Sequence, residues 1–378
     1  MKNAVIVGYV RTPFSFGGKG ELTKVRPDDL AATAVKALIE RTKINVNDIE
    51  DLILGCAFPE GEQGLNLARL VVLNADLPIT IGGVTVNRFC GSSMQSIHQA
   101  AGAIACGAGE VFICAGVESM SRVPMGGFNP LPNPKLYDRM PGAYIGMGDT
   151  AENVASKWKI SRQEQEQIAV ESHAKAIKAQ EDGRLSDEIT PVQTKAGPVE
   201  KDSCIRPGTT LEALAGLKPA FDTNGTVTAG TSSPITDGAA AVLVCSEDYA
   251  KKHGLPMIAR IKSFAIAGCD PDIMGIGPVA ATKKALERAG LTAKDLDVIE
   301  LNEAFASQAI ACVKELGLDW SKINLDGGAL ALGHPLGATG ARITGKAAAL
   351  LQREKKKYAL ATQCIGGGQG IATILEAI

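Results

Sequence analysis

Cys90 sits in VNRFCGSSMQS, between an expected strand and an expected helix. A thiol at a helix N-terminus faces the positive end of the dipole and unpaired N–H groups, and both favour the nucleophilic thiolate. Gly91 permits a sharp turn, and Ser92 or Ser93 is placed to cap the helix. Most cysteines are small buried hydrophobes. Cys56, Cys106, Cys114 and Cys245 lie in apolar strand or helix contexts and are read that way. His334, one of four histidines, sits in GGALALGHPLGATGAR, where glycines surround it and Pro335 fixes the turn. An imidazole held like this can serve as a general base. His98 and His173 read as packing or surface residues, and His253 as a helix C-terminal residue beside Gly254. Cys364 ends a strand and enters CIGGGQG, whose glycines can aim backbone N–H groups at an anion. Asn302 and Glu303 follow the strand Val298–Leu301, at a carboxyl end, where α/β sheets place their sites. Glu303 is a candidate base, but capping of the next helix is the cheaper reading. Two thiols and one imidazole, with no metal-ligand spacing, suit acyl transfer through a thioester plus proton transfer at carbon.

Those groups need a frame. Short apolar runs read as strands buried on both faces: Ala4–Val10, Asp51–Cys56, Val111–Ala115, Ala240–Cys245, Val298–Leu301 and Tyr358–Cys364. Helices lie between them. Pro27–Arg41 opens with Pro and two Asp, and Ser161 with Glu164 forms a capping box for a helix ending near Gly183. This alternation is α/β layering. The unit is used twice. AATAVKALIERTKINVNDIEDLI from Ala31 is echoed by AATKKALERAGLTAKDLDVIEL from Ala280, and a Gly-rich strand-to-helix turn follows each. The expected domains are an N-terminal half (residues 1–118 with 235–257), an inserted loop segment (119–234) and a C-terminal half (258–378). The insertion is expected to cover a site, because long loops in compact domains are usually functional.

Composition narrows the class. The chain has 378 residues, with 39 basic and 41 acidic side chains, so it offers no basic face for nucleic acid or a membrane surface. No apolar run is long enough to span a bilayer. Nine scattered cysteines without a CxxC pair imply a reducing compartment, read as cytoplasmic, rather than a disulfide framework or zinc site. No signal or transit peptide and no peroxisomal address is read at the ends.

With these residues in hand, the sequence resembles the thiolases over essentially its whole length, and most of all the bacterial 3-ketoacyl-CoA thiolases (acetyl-CoA acyltransferases) of fatty-acid β-oxidation. VNRFCGSSMQS resembles the family's nucleophile motif, NEAF its asparagine motif, GGALALGHPLGATGAR its histidine motif and CIGGGQG its second-cysteine motif. TVTAGTSSPITDGAAA and GCDPDIMGIGPV resemble the degradative branch, and Thr231 stands where biosynthetic members often carry Asn.

The resemblance implies a five-layer α-β-α-β-α body of two duplicated βαβ halves with an inserted loop domain. It implies that Cys90 is acylated, that His334 takes its proton, and that Cys364 exchanges protons with the acetyl-CoA carbanion and the incoming CoA. One oxyanion hole would be His334 with a water held by Asn302, the other the N–H groups of Cys90 and Gly366. Coenzyme A enters as substrate; no permanent cofactor or metal is implied. CoA contacts fall on Arg206, Phe221, Ala229 and Ser233, and Met147, Ala304 and Phe305 shape the acyl and pantetheine tunnel. A family serine falls on Ala213 and a family histidine on Gly146, which leaves chain length open. The implied assembly is a homodimer or homotetramer, with a possible hydratase/dehydrogenase partner in a β-oxidation complex. The nearest alternative is a short-chain acetoacetyl-CoA thiolase (acetyl-CoA acetyltransferase). A decarboxylating ketoacyl synthase would not need Cys364, and an inactive acyl-CoA-binding relative would have lost one of Cys90, His334 or Cys364.

Overall fold

The computed structural model describes residues 2–378. The first half runs β1 (Ala4–Arg11), β2 (Ser15–Phe16), α1 (Pro27–Thr42), β3 (Asp51–Gly55), α2 (Leu67–Asn74), β4 (Gly82–Val86), α3 (Ser92–Cys106) and β5 (Val111–Ser119). A mixed stretch follows, with α4 (Pro134–Arg139), α5 (Met147–Lys157), α6 (Arg162–Glu181), β6 (Val192–Thr194), β7 (Gly197–Val199) and α7 (Leu211–Ala215). Then come β8 (Thr236–Ser246) and α8 (Glu247–His253). The rest is β9 (Ala259–Gly268), α9 (Gly277–Ala289), β10 (Val298–Leu301), α10 (Ala306–Leu316), α11 (Ala329–Leu332), α12 (Leu336–Arg353), β11 (Tyr358–Ile365) and β12 (Gln369–Glu376).

The strands order as β4-β3-β5-β8-β1-β9-β12-β11-β10, with β2 on β8. Within the sheet, the two parts meet at β1 and β9, where Val5 pairs with Arg260 and Ile6 with Ala259. On one side β3 pairs in parallel with β4 and β5, and the β5–β8 and β8–β1 pairs are antiparallel. On the other, β10–β11 is parallel, and β11–β12 and β12–β9 are antiparallel. The halves therefore repeat one topology. The second copy of β4 shrinks to a single parallel bridge, Ile299 to Ile323.

Strand alternation sorts side chains into three cores. Val5, Leu52, Leu54, Ile113 and Leu243 face α1 and α2. Ile6, Ile53, Cys114 and Val242 turn the other way, onto α3 and α12, which also receive Ala359, Ala361 and Ile371. Leu360, Ala372 and Ile374 face α9 and α10. This is helix, sheet, helix, sheet, helix: the expected five layers. The strand β9 was missing from the sequence reading because its burial alternates along its length. The strand β12 was missed because it follows a glycine run that reads as loop.

The central helices α3 and α12 touch backbone to backbone. Ala341 N–H donates to Ser93 Oγ at 2.8 Å. A Cβ on Gly340 would lie 2.3 Å from Met94 N, and one on Gly337 would lie 2.6 Å from Val117 O. The mixed stretch is anchored by buried charge. Arg11 holds Glu188 and Asp202, each at 2.7 Å. Lys346 holds Glu188 at 2.9 Å and Asp326 at 2.7 Å. Among the described residues no helix is long and apolar enough to cross a membrane.

Candidate active site

Cys90 stands between β4 and α3, and the turn is forced. Phe89 adopts φ +43°, a conformation that costs a bulky residue energy. Its N–H donates to Asn87 Oδ1 at 2.8 Å. A Cβ on Gly91 would come within 2.5 Å of Ile365 Cδ1, so any larger residue there would push that buried side chain aside. Ser92 and Ser93 do not cap α3. The cap is Gly91; Ser92 Oγ donates to Phe89 O at 2.6 Å and accepts Arg88 N–H at 2.9 Å. Ser93 instead holds α12. The carbonyl of Cys90 accepts from Gln363 Nε2 on β11. Thus the nucleophile turn of the first half is stitched to the strand that ends in Cys364.

Burial opposes the thiolate that the helix terminus favours. Desolvation pushes the Cys90 thiol up to about 12, and the nearby Glu118 charge adds to that. The N–H groups of Gly366 and of Cys90 itself hydrogen-bond the sulfur and pull the other way, without prevailing. Burial outweighs the helix terminus here. Cys90 therefore needs a base, and two backbone donors already converge on its sulfur. Gly366 opens the turn between β11 and β12. Cys364 is fully buried, and burial followed by the charge of Cys90 raises its pKa.

His334 lies in the turn between α11 and α12. Its N–H donates to Thr236 Oγ1 at 3.0 Å. Nδ1 lies 2.6 Å from Thr339 Oγ1, and Nε2 lies 3.5 Å from Asn302 Nδ2. Thr339 Oγ1 donates to Pro335 O at 3.2 Å. It therefore accepts from Nδ1–H, which leaves Nε2 with the lone pair. Burial first, then the Arg342 charge, lowers the His334 pKa to about 3, so the ring is neutral at rest. Asn302 Oδ1 is buried without a protein partner. Thr339 and Thr236 were absent from the sequence reading, although Thr339 lies inside the quoted histidine motif.

Glu303 does not cap α10, whose N-cap is Phe305 without a side-chain bond. Its buried carboxylate accepts from Ser172 Oγ at 2.7 Å, Asn324 Nδ2 at 2.7 Å and Leu330 N at 3.2 Å. It braces α6 and α11 behind Asn302. Arg342 and Glu300 pair at 2.6 Å, both buried, and tie the His334 helix to the Asn302 strand. His98 is buried on Phe264 with Nε2 2.8 Å from Thr373 Oγ1, as a packing residue. His173 is buried and accepts Arg206 N–H, and His253 stacks on Tyr249 at the end of α8. Cys56, Cys114 and Cys245 are buried as expected, but Cys106 is exposed at the last turn of α3.

An apolar cluster gathers around Cys364: Met147, Ala151, Val227, Met274, Ala304 and Phe305. A Cβ on Gly366 would lie 3.5 Å from Met147 Sδ. Phe221 meets Phe305 edge-on at 6.0 Å, and Ser233 N–H donates to Ala304 O at 3.0 Å. Met147, Phe221, Ser233, Ala304 and Phe305 are therefore one neighbourhood. Ala229 is exposed at the start of the turn Ala229–Thr231. The exposed Arg206 guanidinium lies over the Phe16 ring, 5.1 Å from its centroid. Gly146 is the N-cap of α5, and Ala213 is exposed in α7.

Comparison with known proteins follows the same lines. The model of the thiolase N-terminal domain matches residues 4–248, and that of the thiolase C-terminal domain matches residues 255–377. The chain is 48% identical to a 3-ketoacyl-CoA thiolase of Bacillus subtilis and 51% identical to one of Shewanella frigidimarina, covering 100% of each chain in both cases. Among solved structures it is similar to human mitochondrial 3-ketoacyl-CoA thiolase, with TM-score 0.92, 41% identity and coverage of 100% and 99% of the two chains. It is equally similar in fold to the Bacillus anthracis acetyl-CoA acetyltransferase, with TM-score 0.92, 39% identity and the same coverage. Full-length matches to both domain models, at this level of identity, leave one conclusion: the chain belongs to the thiolase family.

Proposed function

We propose that this chain is an acetyl-CoA C-acyltransferase that cleaves 3-ketoacyl-CoA with CoA into acetyl-CoA and a shortened acyl-CoA, reversibly by Claisen condensation. The observation that carries this reading is the convergence on Cys90 of a second thiol, Cys364, and two backbone donors, Cys90 N–H and Gly366 N–H. His334 Nε2 takes the Cys90 proton and the sulfur attacks the 3-keto carbon. The Cα–Cβ bond breaks, leaving the acyl group on Cys90 and an acetyl-CoA enolate, which Cys364 protonates. The Cys364 thiolate then deprotonates the incoming CoA, whose sulfur takes the acyl group; the Cys90–acyl bond breaks, and the Cys90 thiolate recovers its proton from His334. Thiolate attack at each carbonyl carbon and formation of the enolate place negative charge on an oxygen. Fixed donors repay it, and losing one such donor typically costs about 3–4 kcal/mol. The backbone pair serves one oxygen; His334 with a water held by Asn302 serves the other. The unpartnered Asn302 Oδ1 supports that role.

CoA is the thiol substrate, and one similar solved structure is a human mitochondrial 3-ketoacyl-CoA thiolase in complex with CoA. Residues 119–234 form the covering segment. Met147, Phe221, Ser233, Ala304 and Phe305 line the acyl and pantetheine path, with Ala229 at its rim and Arg206 toward the nucleotide end. A homodimer or homotetramer is supported by the edge strand β4 and its exposed neighbours Leu65, Leu73, Ile79 and Val84. A hydratase/dehydrogenase partner and cytoplasmic β-oxidation complete the reading, and a reducing compartment keeps nine free cysteines usable.

The test is a chain-length series. Purified protein, CoA and 3-ketoacyl-CoAs from acetoacetyl upward are followed by loss of the substrate enolate absorbance, with Cys90→Ser in parallel. Activity on medium and long chains, lost in the variant, is expected. Turnover of acetoacetyl-CoA alone moves the assignment to acetyl-CoA C-acetyltransferase. No turnover at any length by folded protein overturns the proposal.

A further inference from the structure

The strand β10 ends at Leu301, and Asn302 follows it. One side of that end is ordinary sheet: Asn302 N–H donates to Thr362 O of β11 at 3.0 Å. In the first half the equivalent strand has a neighbour on its outer side too, where Cys56 N–H, just after β3, donates to Val86 O of β4 at 3.1 Å. In the second half that outer strand stops at the Ile299–Ile323 bridge. The chain turns away at Asn324, whose N–H still reaches Ile299 O at 2.8 Å. Asn324 takes φ +48°, a left-handed conformation that Asn adopts more readily than most residues.

The Asn324 side chain takes the place of the missing strand. Oδ1 accepts Leu301 N–H at 3.0 Å, and Nδ2 donates to Leu301 O at 2.9 Å. Nδ2 also donates to Glu303 Oε1 at 2.7 Å. Leu301, Glu303 and Asn324 are all buried. Leu301 N–H needs an acceptor and the other two partners need hydrogens, so only one orientation of the amide serves all three. The residues on both sides of Asn302 are thus held by one amide. Glu303 Oε2 is held in turn by Ser172 Oγ of α6 and Leu330 N–H of α11. Asn324 also opens the segment that runs through α11 to His334, whose Nε2 lies 3.5 Å from Asn302 Nδ2.

We infer that Asn324 is a positioning residue: its amide replaces the outer strand at the end of β10 and fixes Asn302 against His334. The inference rests on the reading of Asn302 and His334 as one oxyanion hole. The two backbone donors converge on the Cys90 sulfur, so they serve the oxygen of the carbon which that sulfur attacks. The acetyl-CoA enolate oxygen then falls to His334 and the water held by Asn302. Without the Asn324 amide, both backbone groups of Leu301 are buried and unpaired on that side, and the strand end shifts to find partners. The enolate hole is what such a shift disturbs.

The experiment compares two reactions at Cys90. Thiolysis of 3-ketoacyl-CoA breaks a carbon–carbon bond and forms the enolate. Exchange of the acetyl group between acetyl-CoA and isotopically labelled CoA breaks and remakes thioesters only, with no enolate. Asn324→Gly keeps the left-handed backbone and removes the amide. Its thiolysis kcat is expected to fall about ten- to a hundredfold with KM little changed, the scale of effect of moving a catalytic group by about 1 Å. Acetyl exchange is expected to stay within about twofold of wild type, because the backbone donors are untouched. Asn302→Ala shows the same split, and adding Asn324→Gly to it costs little more, because the two residues act as a unit. A parallel fall in thiolysis and exchange, or unchanged thiolysis, overturns the inference. Should the glycine variant fail to fold, Asn324→Ser decides on the same two rates. It keeps one hydroxyl near Leu301, so thiolysis falls less and exchange is again preserved; a parallel fall or no fall overturns the inference there too. Wild-type protein that cleaves no 3-ketoacyl-CoA refutes the enzyme reading instead, so the two failures are distinguishable.

Discussion

Thr339→Val tests how the imidazole is prepared. Thr339 is fully buried, so valine fills nearly the same space and the change is almost purely the loss of one hydroxyl. That hydroxyl accepts Nδ1–H at 2.6 Å and fixes the tautomer with its lone pair on Nε2. Pro335 O loses one donor but keeps Ala338 N–H at 2.8 Å, so the cost falls on the histidine. A buried N–H without an acceptor costs about 1–3 kcal/mol. The ring escapes that cost by moving its proton to Nε2, where it cannot accept from Cys90. Returning to the productive tautomer restores the cost, which therefore appears in the barrier to Cys90 deprotonation. At about 1.36 kcal/mol per factor of ten, kcat falls about 5- to 150-fold. KM changes little, because Thr339 does not line the apolar cluster. The assay is steady-state thiolysis, together with the rate of Cys90 acylation in a single turnover without CoA. Thr339→Ser keeps the acceptor and is expected to recover most of the rate. A valine variant within twofold of wild type in both assays refutes the tautomer argument.

Alkylation of wild-type Cys90 without substrate is expected to rise with pH from 7 to 10 with no plateau, because its pKa of about 12 leaves little thiolate below that range; a plateau near pH 7 contradicts it. Gly91→Ala puts a methyl 2.5 Å from Ile365 Cδ1. Such overpacking costs about 1–3 kcal/mol, read as a lower urea midpoint. Arg342→Met leaves Glu300 buried and unpaired, at a cost of about 3–5 kcal/mol, and adding Glu300→Gln is expected to return part of it in the same urea titration. His98 and His334, with pKa values lowered to about 3, and His173, lowered to about 4, stay neutral when folded while the unfolded chain protonates them below pH 6.5. The unfolded state then binds more protons, so stability falls as pH drops from 6.5 toward 4, by about 1 kcal/mol per histidine per pH unit. Urea unfolding at pH 7 and pH 5 measures it, and His98→Gln is expected to flatten the slope.

The duplicated layering was legible because both copies keep their helix, turn and strand order, and apolar runs such as Val111–Ala115 are buried on both faces. The reactive residues were legible because their glycines were: Gly91 and the run after Cys364 mark backbone that must pass close to something. What escaped was set by tertiary contact. Local pattern shows a cysteine at a helix start and says thiolate. It cannot show how deeply the opposite half desolvates that sulfur, and burial won. Ser92 and Ser93 look like caps in isolation, but their hydroxyls are taken by Phe89 O and Ala341 N. Glu303 looks like a cap too, until Ser172 and Asn324 arrive from segments distant in sequence. Thr339 was visible in the motif, but its partner on the ring depends on the fold of the turn.

The close backbone approaches of α12, to α3 at Gly340 and to β5 at Gly337, have a consequence for how such a protein diversifies. No side chain can grow there, so the distance between the two central helices cannot drift as sequences change. Met147, Phe221 and Ser233, by contrast, come from residues 119–234, held to that frame by Arg11 and Lys346 through salt bridges. The wall that meets the acyl chain can be rewritten by substitution without moving the reacting atoms. Evolution thus has a frozen engine and an exchangeable mouth, and a change of substrate length need not reopen the problem of catalysis.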